Sequence, residues 1–260
     1  MLTITAGNNP KIKNLKKLIK SASHRRLSGL FVAEGLRLCY DAMLSGAQIE
    51  ELYLTEQASE KSPEKCAELI AYSRRAYKVA PALFAQVSDT KTPQGILCVI
   101  KGLDKTVEFD TINNGGKFLA LENVQDPNNL GTVLRSAEAF GVSGVILSSD
   151  CCDIYNPKVV RGSMGAVFRV PFLVCESISD FLRENPELNS YAAVVDSKAE
   201  KVTETEFEAP CVTVIGNEGN GLKPETTAQC SHRITIPMRG KAESLNASTA
   251  ASILIWEMIK

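Results

Sequence analysis

Residues 233–260 read RITIPMRGKAESLNASTAASILIWEMIK, and the change of texture along them decides how the chain is read. Ile234 and Ile236 alternate with polar neighbours, which predicts a strand over Arg233–Met238. Arg239-Gly240 breaks that pattern, Lys241–Asn246 form a polar turn, and an apolar helix follows. A strand end, a polar loop and a helix start gather backbone N–H groups and small polar side chains at one point, where a ligand can be held. An ordinary strand–helix unit closing a sheet has the same outline, with Ser244 as its helix cap. Two stretches upstream separate these readings.

Working outward, the second half alternates cleanly. Lys117–Leu121 reads as a strand and Asn129–Phe140 as a helix stopped by Gly141. Strands follow at Ser143–Leu147, Val167–Val174, Tyr191–Asp196 and Val212–Ile215. Helices are expected from Asn156-Pro157 to near Gly162 and over Ser179–Asn185. Runs such as Ala192–Val195 and Val212–Ile215 carry no charge and are apolar but for Thr213, which suits strands covered on both faces in a mostly parallel α/β sheet.

The first half is a smaller β/α unit. Lys11–Ser23 places Ile12, Leu15, Leu18 and Ile19 at helical spacing, with lysines at 11, 13, 16, 17 and 20 on the outer face, and His24-Arg25-Arg26 extends the positive end. Strands are expected over Leu30–Ala33, Ile49–Thr55, Tyr77–Val79 and Gly95–Lys101. Helices are expected after Gly35 up to Gly46, over Ser62–Arg74 and near Pro81–Val87. The polar stretch 106–116 reads as a linker between domains 1–105 and 117–260.

Net charge is −1, yet residues 1–105 carry 16 Lys+Arg against 10 Asp+Glu, and seven basic residues precede Glu34, the first acid. A basic end of this kind can contact nucleic-acid phosphates, although a solvated basic helix is the common alternative. The eight cysteines form no C-x-x-C pair and only two histidines are present, so no metal site is expected. No apolar run reaches the roughly 18–20 residues of a membrane span. The first residues lack the pattern of a secretory signal, so a cytoplasmic protein is expected.

Chemistry concentrates at three strand ends. Glu122–Gly141 reads ENVQDPNNLGTVLRSAEAFG: a strand ends in a polar turn, and Arg135 then interrupts an apolar helical run six residues after Asn129. Val214–Leu222 reads VIGNEGNGL, an apolar strand entering a loop with glycines at 216, 219 and 221. It is neither a dinucleotide fingerprint nor a P-loop. Taken in order, D-P-N-N-L-G-x-x-x-R, I-G-N-E-G-N-G-L and I-P-M-x-G-x-x-x-S-L-N-x-S resemble the three motifs of the SpoU-type (TrmH-like) RNA ribose 2′-O-methyltransferases of the SPOUT superfamily, over about 118–260. R-x-x-G-L-F-V-A-E-G-x-R, from Arg26, resembles the substrate-binding domain that often precedes that catalytic domain. Ala247 departs from the valine of many relatives, a matter of packing.

The resemblance implies an α/β trefoil knot preceded by a small L30e-like RNA-binding domain, and a homodimer. It implies S-adenosylmethionine as cofactor, held by Gly216, Asn217, Ile236, Met238 and Leu245. It also implies that Arg135 serves the partner subunit's site, with Asn129 orienting the arginine or the ribose, Glu218 holding its loop or meeting substrate, and Ser244 and Asn246 positioning cofactor and ribose. Ribosomal RNA is the expected substrate and transfer RNA the first alternative. From other classes, a catalytically silent RNA-binding protein on the same fold has no reason to keep all five polar residues. A nucleotide-binding oxidoreductase lacks its fingerprint.

Overall fold

The computed structural model describes residues 1–103 and 114–260, which form two compact units. Of the linker expected at 106–116, residues 106–113 lie outside the described residues. The first unit takes the residues up to 103 together with Asp153–Phe168, and the second takes 114–152 and Arg169–Lys260.

The first unit is built on β1 (Leu2–Ile4), β2 (Leu30–Glu34), β3 (Ile49–Leu54), β4 (Ala76–Val79) and β5 (Ile96–Lys101), in the order β1-β4-β3-β5-β2. β5 runs antiparallel to β2 and β3, and the other pairings are parallel. Its helices are α1 (Pro10–Lys20), α2 (Ala22–Ser28), α3 (Leu36–Leu44), α4 (Glu56–Lys61), α5 (Pro63–Tyr72) and α6 (Pro81–Phe84). α1 starts where Asn9 Oδ1 accepts from Lys11 N at 2.9 Å, with Pro10 supplying the first-turn φ. Its Ile12, Leu15 and Leu18 are fully buried, each worth roughly 1.5–3 kcal/mol of transfer free energy.

The structure corrects the reading of this end. Lys11–Ser23 is not one helix, because Ser21 is extended (φ −122°, ψ 112°) and its side chain caps α2 by accepting from His24 N at 3.2 Å. Nor does Arg25 extend the exposed positive end: it is 4% exposed. Its Nε donates to Asp153 Oδ2 at 2.7 Å and its Nη1 to Leu18 O at 2.6 Å. Asp153 belongs to the excursion from the second half. That excursion carries a helix at Pro157–Gly162 (α8 in chain order, after α7 at Pro127–Phe140) and a 3-10 turn at Ala166–Phe168. Tyr155 stacks on Phe31 with ring centroids 4.3 Å apart, and Phe168 follows at 6.3 Å. Val167–Phe168 is therefore apolar because it is buried in the first unit, and the strand expected over Val167–Val174 begins only at Phe172.

The second unit holds seven strands: β6 (Lys117–Leu121), β7 (Gly144–Ser148), β8 (Phe172–Cys175), β9 (Asn189–Ala193), β10 (Glu200–Lys201), β11 (Cys211–Ile215) and β12 (His232–Thr235). Their order is β10-β12-β9-β11-β6-β7-β8, with every pairing parallel. α7 packs against α11 (Ala247–Ile259) and β7, and α11 packs against β11 and β6. α9 (Ile178–Glu184) contributes Ile178, Phe181 and Leu182 to a cluster with Phe118, Ile146, Val212 and Val214. Helical cover on both faces explains the uninterrupted apolar strands. α10 (Pro224–Gln229) follows the loop after β11. The strand expected to reach Met238 stops at Thr235, and residues 236–246 carry no helix or strand. Among the described residues no helix is long and apolar enough to cross a membrane.

Candidate active site

The three strand-end loops meet beyond the carboxyl ends of β6, β9, β11 and β12, where parallel α/β sheets place their ligands. A chain of side-chain hydrogen bonds joins them. Asn246 Nδ2 donates to Asn129 Oδ1 at 2.9 Å, and Asn129 Nδ2 donates to Glu218 Oε1 at 2.9 Å. Glu218 also accepts from the backbone N–H of Gln125 and Asp126, both at 3.4 Å. Asn217 Nδ2 donates to Asn123 O at 2.8 Å. Burial pushes the Glu218 carboxyl up, but the hydrogen bonds from Asn129 and the backbone outweigh it, and the net pKa is lowered. Asn246 also works locally, since its Oδ1 accepts from Ser248 N at 3.0 Å and Thr249 N at 3.3 Å. It, not Ser244, is therefore the cap of α11.

The glycine loop is tied to itself. Asn217 and Gly221 exchange backbone hydrogen bonds of 3.0 and 2.9 Å, and Asn217 Oδ1 accepts from Gly219 N at 2.9 Å and Asn220 N at 3.1 Å. A Cβ on Gly216 would overlap the backbone of Gly221 and Leu222, so the close approach demands glycine there. Gly221 turns at φ +67°. The loop's far end is fastened to the sheet by Glu122, 2% exposed, which accepts from Lys223 N at 2.7 Å and Thr226 Oγ1 at 2.5 Å. Beside it Lys223 Nζ donates to Asp150 Oδ2 at 3.0 Å.

A cavity of about 500 Å³, within the usual range for small-molecule sites, opens between the glycine loop after β11, the loop after β12 and the end of β9. Gly216, Asn217, Glu218, Ile236, Met238, Ser244 and Leu245, all singled out from sequence, line it. Val195, Met238 and Leu245 are exposed apolar side chains that face this one space. Along Ile236–Leu245 the backbone N–H and C=O groups bond to no protein group among the described residues. An apolar wall beside open backbone donors and acceptors fits a flat heteroaromatic ring with hydrogen-bonding edges, such as the adenine of S-adenosylmethionine.

Two expected residues behave differently. Asn129 is 6% exposed and spends both side-chain atoms on Asn246 and Glu218 rather than on Arg135 of its own chain. Arg135 is exposed on α7 and does not line the cavity, and its side chain has no hydrogen bond or ion pair among the described residues. Sequence reading missed the cavity residues Val195, Asn220, Thr227 and Arg233, and the fastening role of Glu122. The end of the strand expected over Tyr191–Asp196 was the available signal for Val195. Among the described residues no group of three or more His, Cys, Asp or Glu could hold a metal ion.

Fold and site thus define an α/β protein with a nucleoside-sized cavity at the mouth of a parallel sheet. The model of the SpoU rRNA methylase family matches residues 116–256, and that of the MRM3-like substrate-binding domain matches 9–98. The chain belongs to the SpoU rRNA methylase family. It is 30% identical to a Synechocystis protein called an uncharacterized tRNA/rRNA methyltransferase, over 98% of this chain and 92% of that one. It is 26% identical to the 23S rRNA (guanosine(2553)-2′-O)-methyltransferase RlmP of Bacillus subtilis, over 99% of each. Its structure resembles the AdoMet-bound rRNA methyltransferase of Sinorhizobium meliloti, with TM-score 0.87 and 27% identity over 98% of this chain and 96% of that one.

Proposed function

We propose that this protein transfers a methyl group from S-adenosylmethionine to a ribose 2′-hydroxyl of ribosomal RNA of the 23S type. The observation that carries the reading is the Asn246–Asn129–Glu218 hydrogen-bond chain, which ties the loop after β6 to two loops that line a cavity, one of which, Ile236–Leu245, keeps its backbone groups open to a ligand. The names of the relatives favour ribosomal over transfer RNA. Residues 117–260 act as the catalytic domain and 1–105 as the substrate-binding domain.

Gly216, Asn217, Ile236, Met238 and Leu245 hold the cofactor, which when bound supplies an electrophilic methyl group. The chain's own groups must make the ribose oxygen nucleophilic and place it in line. Arg135 is the catalytic residue. A guanidinium stays charged at any working pH, so it is no general base. It anchors the neighbouring phosphate and stabilises the negative charge developing on O2′, and the proton passes to phosphate or water. Asn129 and Glu218 position the loop, and Ser244 and Asn246 position cofactor and ribose.

Arg135 lies outside its own chain's cavity, which supports a homodimer in which it completes the site of the second copy. Trp256, 54% exposed and edge-on to Phe140 at 5.5 Å on the paired helices α7 and α11, supplies an apolar face for that contact. A sedimentation mass of one chain would refute the dimer. The knotted path that family membership implies is tested by an experimental chain trace, and one that closes without threading would refute it. Eight free thiols favour the reducing cytoplasm, which cell fractionation tests.

The test of the function is incubation with labelled S-adenosylmethionine and undermodified total RNA, fractionated by size. Alkali-resistant label in the large rRNA is expected, and Arg135→Ala should abolish it while cofactor still binds. Label confined to tRNA would overturn the substrate. No label despite cofactor binding would overturn the activity of the unassisted chain.

A further inference from the structure

We propose that a basic cleft in the first unit, where α1 meets Asn156–Lys158, binds phosphates of the RNA backbone; this rests on the RNA methyltransferase reading above. The cleft has a volume of about 280 Å³ and is lined by Lys16, Ile19 and Lys20 of α1, Gln86–Asp89 after α6, and Asn156–Lys158 at the start of α8. Three lysines from segments about 140 positions apart in sequence thus line one cleft. The one carboxylate in the lining, Asp89, is already paired with Arg161 Nη2 at 3.2 Å. Lys16 Nζ donates to the neutral Gln86 at 3.1 Å, and Lys20 and Lys158 have no ion pair among the described residues. Glu34, which meets the cleft residues Ser88 and Asp89, is also engaged, accepting from Ser88, Thr90 and Asp89 N. On the same helix Lys13 and Lys17 are exposed and extend the positive surface.

The cleft is held in shape before any ligand arrives. Asp153 is locked to buried Arg25, and the Tyr155 hydroxyl accepts from Leu103 N at 2.8 Å. Asn156 caps α8 through Lys158 N at 2.9 Å. A preformed cluster of cations loses little ordering entropy when it meets a polyanion. Its size suits a sugar-phosphate strand. A lipid surface is disfavoured because the apolar side of α1, Ile12, Leu15 and Leu18, is fully buried and cannot insert.

The test uses the full-length protein and in-vitro-transcribed large-subunit rRNA, with affinity measured across a salt series. The variant Lys16→Gln/Lys20→Gln/Lys158→Gln is compared with an equal-charge control, Lys61→Gln/Lys65→Gln/Lys198→Gln. Each phosphate contact contributes about 0.7–0.9 to the slope of log affinity against log salt. The cleft variant should flatten that slope by about 2 and weaken binding at least tenfold, with unchanged cofactor affinity and Tm. The control should stay within about twofold of wild type. Lys158→Gln alone, at an exposed position, should flatten the slope by nearly one. If wild type methylates the RNA but cleft variant and control share its slope, the cleft is refuted and the enzyme reading survives. If wild type neither binds nor methylates RNA, both fall. Loss of binding to anionic phosphatidylglycerol vesicles, with the RNA slope unchanged, would also overturn the cleft assignment.

Discussion

Gly216→Ala places one methyl group where the structure has no room. The new Cβ would overlap the backbone of Gly221 and Leu222, so no side-chain rotation relieves the clash. The loop must open, and the paired hydrogen bonds between Asn217 and Gly221, at 3.0 and 2.9 Å, go first. At about 0.5–1.5 kcal/mol each they account for roughly 1–3 kcal/mol, and overpacking alone costs a similar amount. Because Gly219–Gly221 face solvent, the loop can yield locally, and a net cost of about 2–3 kcal/mol is expected. Gly216 lines the cavity proposed for the cofactor, so this cost should fall on cofactor binding: at 1.4 kcal/mol per decade, Kd should rise by about thirtyfold to a hundred-and-fortyfold. Isothermal titration with S-adenosylmethionine reads it, with thermal denaturation alongside, where Tm should fall by several degrees. Gly219→Ala is the internal control. It sits in the same loop, but a Cβ there meets only Asn217 Oδ1 at 3.5 Å, an ordinary contact. Its Kd should stay within about twofold of wild type. Wild-type Kd and Tm for Gly216→Ala would refute the reasoning.

Asp153→Asn leaves the Arg25 guanidinium buried without its counter-charge, and denaturant unfolding should show a loss of about 3–5 kcal/mol; a change under 1 kcal/mol would mean the pair is solvated. Glu218 has a folded pKa below the ordinary 4.5, so its contribution to stability is present above that pH and is lost as pH falls through the folded value. Asn129→Ala should move the Glu218 titration upward in carboxyl-resolved NMR, and an unmoved titration would remove Asn129 as its partner. If Arg135 works across a dimer, mixing Arg135→Ala chains with Gly216→Ala chains should restore methylation, since mixed dimers pair one sound cavity with one sound arginine. Activity no higher than the sum of the two parents would place Arg135 in its own chain's site.

Much of the site was legible because each loop carried its own local signature. Gly216 and Gly221 announced a tight turn, and Ser244–Asn246 a polar approach to a helix. The seven cavity residues named from sequence sit in the loops that follow β11 and β12, where a parallel sheet must open. Glu122 gave no such sign, because its partners Lys223 N and Thr226 are about a hundred residues away and a lone acid after a strand reads as surface. Val167–Phe168 failed for a related reason: apolar runs record burial, and a turn packed under Phe31 is as buried as a strand.

The two α/β halves, the parallel character of the second sheet and the three polar loops at its strand ends could be read from the sequence alone. Hydrophobic period, glycine and capping residues are local, and each acts within one or two turns of chain. Only the tertiary structure decided which distant groups meet. It closed the Asn246–Asn129–Glu218 chain across about ninety to one hundred and twenty positions and left Arg135 outside its own cavity. It also drew Asp153–Phe168 into the first unit, where Asp153 neutralises Arg25 and Lys158 joins the basic helix. Hydrogen bonds and ion pairs act over a few ångströms, and sequence separation says nothing about which groups come that close.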